Sequence, residues 1–255
     1  SLAMVRDLYA GRDMARIVSF AMMVFMVVPA AAPLAGAAII AASGWRAIFL
    51  AFLLFALAIL LWMQFRQPET LPREARRPLG AGQMWRDARE VLANGLILKA
   101  ILGTTLIMGV LVGVLSSIQQ IFDITYGRAE GFPWWFALIA VFSAGSGPLN
   151  ARLVMTLGMR SVAGRALLIH AGVSLLLVLS LWLGLWPEGL PFWACMAWLI
   201  LTFFMTGLTM GNLNALAMEP VGHVAGMAAS LMGAIATVAA VVVAVPVGLA
   251  FDGTA

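Results

Sequence analysis

Thr202, Thr206, Thr209 and Asn212 stand at i, i+4, i+7 and i+10, within one arc of a helix. Hydroxyl and amide groups so spaced can orient a small molecule by hydrogen bonds without fixing its charge. The same threonines can instead bond to the carbonyls of their own helix. Thr105, Gly109, Ser116, Gln119 and Gln120 recur at near-helical spacing. A polar stripe among apolar residues turns toward protein or a water-filled path, although Gly109 and Gly113 also make a close-packing seam between helices. Gly226, Ser230, Gly233 and Thr237 form a weaker stripe, as do Ser143, Ser146, Gly147 and Asn150. Pro29, Pro33 and Gly36 share one helix face, where proline removes a backbone bond. Such a face either bends during a conformational change or packs small residues closely. Met22 and Met26 lie on that face, and their flexible thioethers suit varied apolar contacts. With 16 methionines in the chain, most are ordinary core.

These groups do not assemble into a catalyst. Paired acids at depth, the His-Glu-x-x-His spacing of a zinc hydrolase and a Gly-x-Ser-Gly nucleophile with its histidine are all missing; Ala144-Gly145-Ser146-Gly147 is out of register for the last. Two distant histidines and the single Cys195 do not suit a metal. Gly145-x-Gly147 lacks the third glycine and the strand of a dinucleotide site. His170 reads as a hydrogen-bonded structural histidine rather than a proton relay. No acid falls at the middle of an apolar stretch. No enzyme, metal or organic cofactor is expected.

The elements that must carry these residues follow from composition. Of 255 residues, 63% are apolar and 10% charged, with a mean hydropathy of +1.02. Soluble domains are near half apolar and a quarter charged, so the chain is lipid-immersed. A membrane helix needs about 20 mostly apolar residues to cross about 30 Å. Seven stretches qualify: 17–41, 46–63, 99–122, 132–150, 165–185, 191–218 and 224–251. The expected fold is all-α and polytopic. Asp123–Gly131 is a polar loop, and tight turns fall at Ser43–Trp45, Trp186–Leu190 and Glu219–His223. Gln64–Gly95 holds Pro68, Pro72 and Pro78 and reads as a linker between two bundles; Met84–Leu92 within it reads as a short surface helix.

Alternation across seven spans puts all of the 15 Lys and Arg except Arg46 and Arg128 on one side. Positive loops mark the cytoplasmic side, so residues 1–16 are expected inside and residues 252–255 outside. The pI near 10.2 is then topology and implies no nucleic-acid partner. The first residue is Ser1, and an odd number of spans suggests a piece of a longer protein.

Several local patterns then coincide: Val5-Arg6-Asp7-Leu8-Tyr9, Gly11-Arg12, Ala15–Phe20, Val28–Gly36, Gly44–Phe49, Pro68–Leu71 and Ala225–Gly233. Together they resemble the Bcr/CflA group of bacterial drug-resistance transporters within the major facilitator superfamily. The resemblance implies twelve helices in two six-helix halves, with these spans as helices 5 to 11 of a truncated major facilitator-type bundle. Residues 1–63 would close the first half, 64–95 form the cytoplasmic linker, and 96–255 hold most of the second half. Ala32–Ala37 resembles the helix-5 antiporter motif Gly-Pro-x-x-Gly-Gly with two glycines changed to alanine. Ala151–Arg160 resembles a worn loop motif that keeps Leu153, Gly158 and Arg160 and has Met155 where stronger copies carry Asp.

The implied activity is multidrug efflux by drug:proton antiport with alternating access in the bacterial inner membrane. The proton gradient would drive it, with no bound cofactor. The expected partners are the lipid bilayer and small apolar or weakly cationic drugs, with a monomer when complete. In the resembled group the coupling acid sits on helix 1, which this chain does not contain. Two other readings remain: a transporter of the same architecture for a sugar, amino acid or metabolite, and a non-transporting helix bundle.

Overall fold

Residues 32–66 and 80–249 are described in the computed structural model of the protein. Met22, Met26, Pro29, the first part of the first expected span, the linker prolines and residues 250–255 lie outside the described residues. The elements are all helical. The chain divides into two units, residues 1–79 and residues 80–255.

In the first unit, α1 (Ala32–Ser43) is followed by α2 (Arg46–Arg66). Between them Gly44 adopts φ 77°, a backbone conformation that costs glycine nothing. Its N–H donates to the Ile40 carbonyl at 2.8 Å. The Arg46 guanidinium lies 4.6 Å above the Trp45 ring, whose edge-on neighbour is Phe49 at 6.1 Å. α2 is apolar on every side and buries none of its residues within the chain, the pattern of a helix solvated by lipid or covered by other helices. Pro33 and Gly36 lie on α1, both half-buried.

The second unit holds α3 (Ala81–Ala93), α4 (Gly95–Gln120), α5 (Phe132–Ala144), α6 (Ser146–Leu157), α7 (Met159–Trp182), α8 (Phe192–Met218) and α9 (Ala225–Leu249). α8 is the hub and packs on α4, α5, α6 and α7, while α9 lies along α4. Apolar burial drives little association between helices in lipid, so close backbone approach must supply contact. α9 does this with Ala228, Met232, Ala236, Ala240 and Ala244, a buried residue every four positions. Its first turns share a cluster with Ile97, Ala100 and Ile101 of α4. At the far end, a Cβ on Gly248 would sit 4.0 Å from the Ser117 hydroxyl. The two helices therefore run parallel along their length. Gly103 on α4 admits α8: a Cβ there would come within 3.0 Å of Leu213.

Among the described residues six helical segments are long and apolar enough to cross a membrane: Arg46–Arg66, Gly95–Thr125, Phe132–Leu157, Met159–Trp182, Phe192–Val221 and Gly226–Pro246. Only Ala32–Ser43 of the expected first span is described.

Several boundaries differ from the sequence reading; the second span runs on to Arg66 and the third begins at Gly95. The third span does not stop at Phe122 but runs through a π-helical turn, Ile121–Thr125. The fourth bends at Gly145 and stays helical to Leu157, so most of the segment read as a loop motif is helix. The fifth starts at Met159, six residues before Arg165. The connection is essentially Gly158, at φ 77°. Arg152 and Arg160 look like loop in a sequence, but both are exposed residues at helical positions, their long stems reaching outward. The short helix expected over Met84–Leu92 is present as α3, Ala81–Ala93.

Candidate functional site

The polar stripe on α8 is buried inside the bundle. Thr202 and Thr209 are fully buried, and Thr206 and Asn212 nearly so. Each threonine donates to its own helix: Thr202 to the Trp198 carbonyl at 2.8 Å, Thr206 to Thr202 at 2.9 Å and Thr209 to Met205 at 2.7 Å. This is how a hydroxyl tolerates an apolar surrounding. Thr202 is also 2.9 Å from His170 Nε2. With the hydroxyl proton spent on Trp198, the imidazole Nε2–H is the donor in that contact. Trp198 donates its indole N–H to Ser174 at 2.9 Å, and its ring packs against His170. α7 and α8 are thus stitched twice. Asn212 reaches in another direction: its amide donates to Asn150 Oδ1 on α6 at 2.7 Å and to the Leu208 carbonyl at 2.8 Å.

The α4 and α9 stripes have a different setting. Ser116 and Gln119 are exposed, Thr105 is half-buried and Gly109 is buried. Ser116 donates to the Val112 carbonyl at 2.7 Å. Ser230 and Thr237 are both exposed on α9, on the flank away from the alanine column. The parallel pairing of α4 with α9 brings these two sets onto adjacent helices and leaves the α8 stripe apart. Gly158 and Arg160 are exposed at the α6–α7 junction. The hydroxyls of Thr104, Ser117 and Ser146 are buried without a hydrogen-bond partner, an arrangement that costs about 1–3 kcal/mol per group.

The sequence reading missed an aromatic cap over the loop ends of α4, α5 and α8. Phe192 at the start of α8 meets Phe122, Tyr126 and Trp135 edge-on at 5.4, 5.2 and 4.9 Å. Arg128 spans the cluster, its guanidinium 4.5 Å from the Phe192 ring centre and 5.7 Å from that of Trp135. Arg128 is exposed, and cation–π contacts at exposed sites are worth about 0.5–1 kcal/mol. Tyr126 donates to the Leu190 carbonyl at 2.8 Å, tying the α4–α5 loop to the α7–α8 loop. Burial, with Cys195 beside it, pushes the Tyr126 phenol well above its ordinary value. Gly131 makes room for this: a Cβ there would stand 2.8 Å from the Trp135 indole nitrogen. The available signal was a lone arginine in a loop flanked by Tyr126, Phe132 and Trp135. An open cavity of about 360 Å³ adjoins the cap, lined by Gly127–Gly131 and Trp135.

Among the described residues no group of three or more His, Cys, Asp or Glu is placed to hold a metal ion. The site offers hydrogen-bonding and aromatic surfaces.

The chain matches the Major Facilitator Superfamily over residues 1–244. It is 27% identical over 238 residues to the Bicyclomycin resistance protein homolog of Haemophilus influenzae, covering 91% of this chain and 58% of that protein. It is 25% identical over 243 residues to the uncharacterized MFS-type transporter YdgK of Bacillus subtilis, again covering 91% of this chain and 58% of the relative. The chain thus spans 58% of the length of both relatives. A match over nearly the whole chain, joined to six membrane-length helices among the described residues, gives the assignment: the chain belongs to the Major Facilitator Superfamily and is an all-helical polytopic membrane protein.

Proposed function

We propose that this chain is part of a bacterial inner-membrane exporter that expels small apolar or weakly cationic drugs in exchange for protons. The observation that carries the reading is its similarity, over 91% of its length, to a protein named for bicyclomycin resistance. The chemistry of the spans supports it. The acids nearest the bilayer, Asp123 and Glu219, stand at helix ends, so mid-span recognition rests on shape, hydroxyls, amides and aromatic faces. Such a lining suits solutes without strong charge.

In this mechanism the two halves rock about a central path. The half-buried Thr105 and the exposed Ser116 and Gln119 of α4, with the exposed Ser230 and Thr237 of α9, line it, and Met22 and Met26 add adaptable apolar surface. The buried α8 stripe of Thr202, Thr206, Thr209 and Asn212 backs the path and keeps the second half rigid. Pro29, Pro33 and Gly36 give the first expected span a face that can flex, and Gly158 and Arg160 form a turn on the cytoplasmic side. Proton coupling uses an acid from outside this segment.

The test is a drug-susceptibility panel on cells carrying the complete gene, with and without a proton uncoupler. Raised tolerance to several uncharged or weakly cationic compounds, abolished by the uncoupler, is the expected result. A panel without any shift removes the drug assignment and leaves a transporter of another solute. Tolerance that survives the uncoupler removes the proton antiport.

A further inference from the structure

We propose that α3 is a lipid-binding helix. It rests in the headgroup layer beside the start of α4, with Trp85 and Leu92 in the acyl boundary and Arg86 and Arg89 on the phosphates of anionic phospholipids.

The residue order makes α3 two-faced. At about 100° per residue, Val91, Met84, Ala88, Leu92 and Trp85 fall in one continuous arc, and Arg89, Arg86, Glu90, Gln83 and Asp87 fill the rest. The bundle uses only one edge of that apolar arc. Val91 is fully buried, in a cluster with Ile97 and Ala228. Trp85 is 73% exposed, Met84 48% and Leu92 39%. The last turn of α3 is therefore seated on protein, while the opposite edge of its apolar face has no protein cover among the described residues.

The depth of α3 is set by one residue. Asn94 ends α3 with its N–H on the Val91 carbonyl, and its side chain caps α4 by accepting from Leu96 at 2.9 Å and Ile97 at 3.4 Å. A single residue reaches at most about 3.6 Å. The end of α3 is thus held at the mouth of a membrane span, where its exposed apolar edge meets lipid. Tryptophan prefers this layer, and an amphipathic helix with arginine beside tryptophan is suited to lie in it.

The charges point to an anionic surface. Arg89 follows Trp85 by one turn on the same flank, so its stem can lie along the ring while its fork reaches phosphate oxygens. Arg86 donates one N–H to Gln83 Oε1 at 2.7 Å and, like Arg89, is exposed. Asp87 is drawn away on the bundle-facing side, accepting from Gln83 at 2.6 Å, and Glu90 lies on the flank farther from Trp85. The preceding linker adds Arg73, Arg76 and Arg77 against Glu69 and Glu74.

The test is hydrogen–deuterium exchange on the full-length protein in three settings: vesicles of phosphatidylcholine, vesicles with added phosphatidylglycerol, and uncharged detergent micelles. Amides of Met84–Leu92 should exchange several-fold more slowly with phosphatidylglycerol present, by roughly five-fold for each arginine engaged. R86Q/R89Q should lose that increment while the amides of α4 keep their protection, which shows the bundle intact. Equal exchange in both vesicle types overturns the proposal, as does a phosphatidylglycerol effect that persists in R86Q/R89Q. Protection in micelles as strong as in phosphatidylglycerol vesicles also overturns it, because a folded-back segment of the protein would then be the cover.

Discussion

Asn212→Leu separates two roles for the α8 stripe. The side chain is 4% exposed and ties α8 to α6 through Asn150 Oδ1 at 2.7 Å. Leucine keeps the volume and removes the donor. Hydrogen bonds between membrane helices are worth about 0.6 kcal/mol on average and about 1.7 at most. The Asn150 carbonyl is then left in a half-buried position, and an unpaired buried acceptor costs about 1–3 kcal/mol. Partial access of Asn150 to water places the expected loss at about 1–2 kcal/mol. Asn150→Leu should cost a similar amount, and the double variant less than the sum, with a coupling near 1 kcal/mol. The assay is reversible unfolding in bicelles, followed by near-ultraviolet circular dichroism. The transport readout, measured on the complete protein, should show a uniform fall in rate across substrates. Additive single-variant losses, or an unchanged unfolding profile with an altered substrate range, would refute the structural role and return Asn212 to the substrate path.

Gly131→Ala should push the Trp135 indole off its place, since the new methyl would stand 2.8 Å from its nitrogen; the emission of that tryptophan should shift and the cap lose about 1–2 kcal/mol in thermal unfolding, partly recovered by Trp135→Phe. Tyr126 predicts a pH dependence. Its folded value is raised above the ordinary 10.0, so the unfolded chain loses the proton first and stability falls as pH rises past that value. Tyr126→Phe should flatten the alkaline limb and leave neutral pH with only the loss of one hydrogen bond. Residues 1–255 expressed alone should give drug accumulation equal to empty-vector cells, because no acid stands at mid-span; active efflux would contradict the coupling scheme.

Much of the architecture was legible because lipid enforces it. Apolar runs and Gly or Pro turns located the helices, and the Asn94 break fell where a polar linker met an apolar span. The α8 stripe was visible as a period but not as a direction. Spacing puts Thr202 and Asn212 on one arc, but only the neighbours, His170 on α7 and Asn150 on α6, decide whether that arc faces solute or protein. Asn150 and Asn212 are 62 residues apart in sequence, and Tyr126 and Leu190 64. No local pattern links residues at such separations. The aromatic cap escaped for the same reason. Arg152 and Arg160 misled in the opposite way, since their charge suggested loop where arginine stems let helices continue.

The column on α9 has a further consequence. Four residues of helix advance about 6 Å, so moving α9 by one notch, with a small rotation, sets Ala236 near where Ala240 stood and Ala240 near where Ala244 stood, methyl for methyl. Alanine alone would leave that ratchet free. Met232 is its pawl: moved by one tooth, its thioether would press into a gap cut for a methyl. The alignment of α4 with α9 is therefore recorded where bulk enters the column, at Met232, with Met227, Leu231 and Ile235 packed against the same cluster.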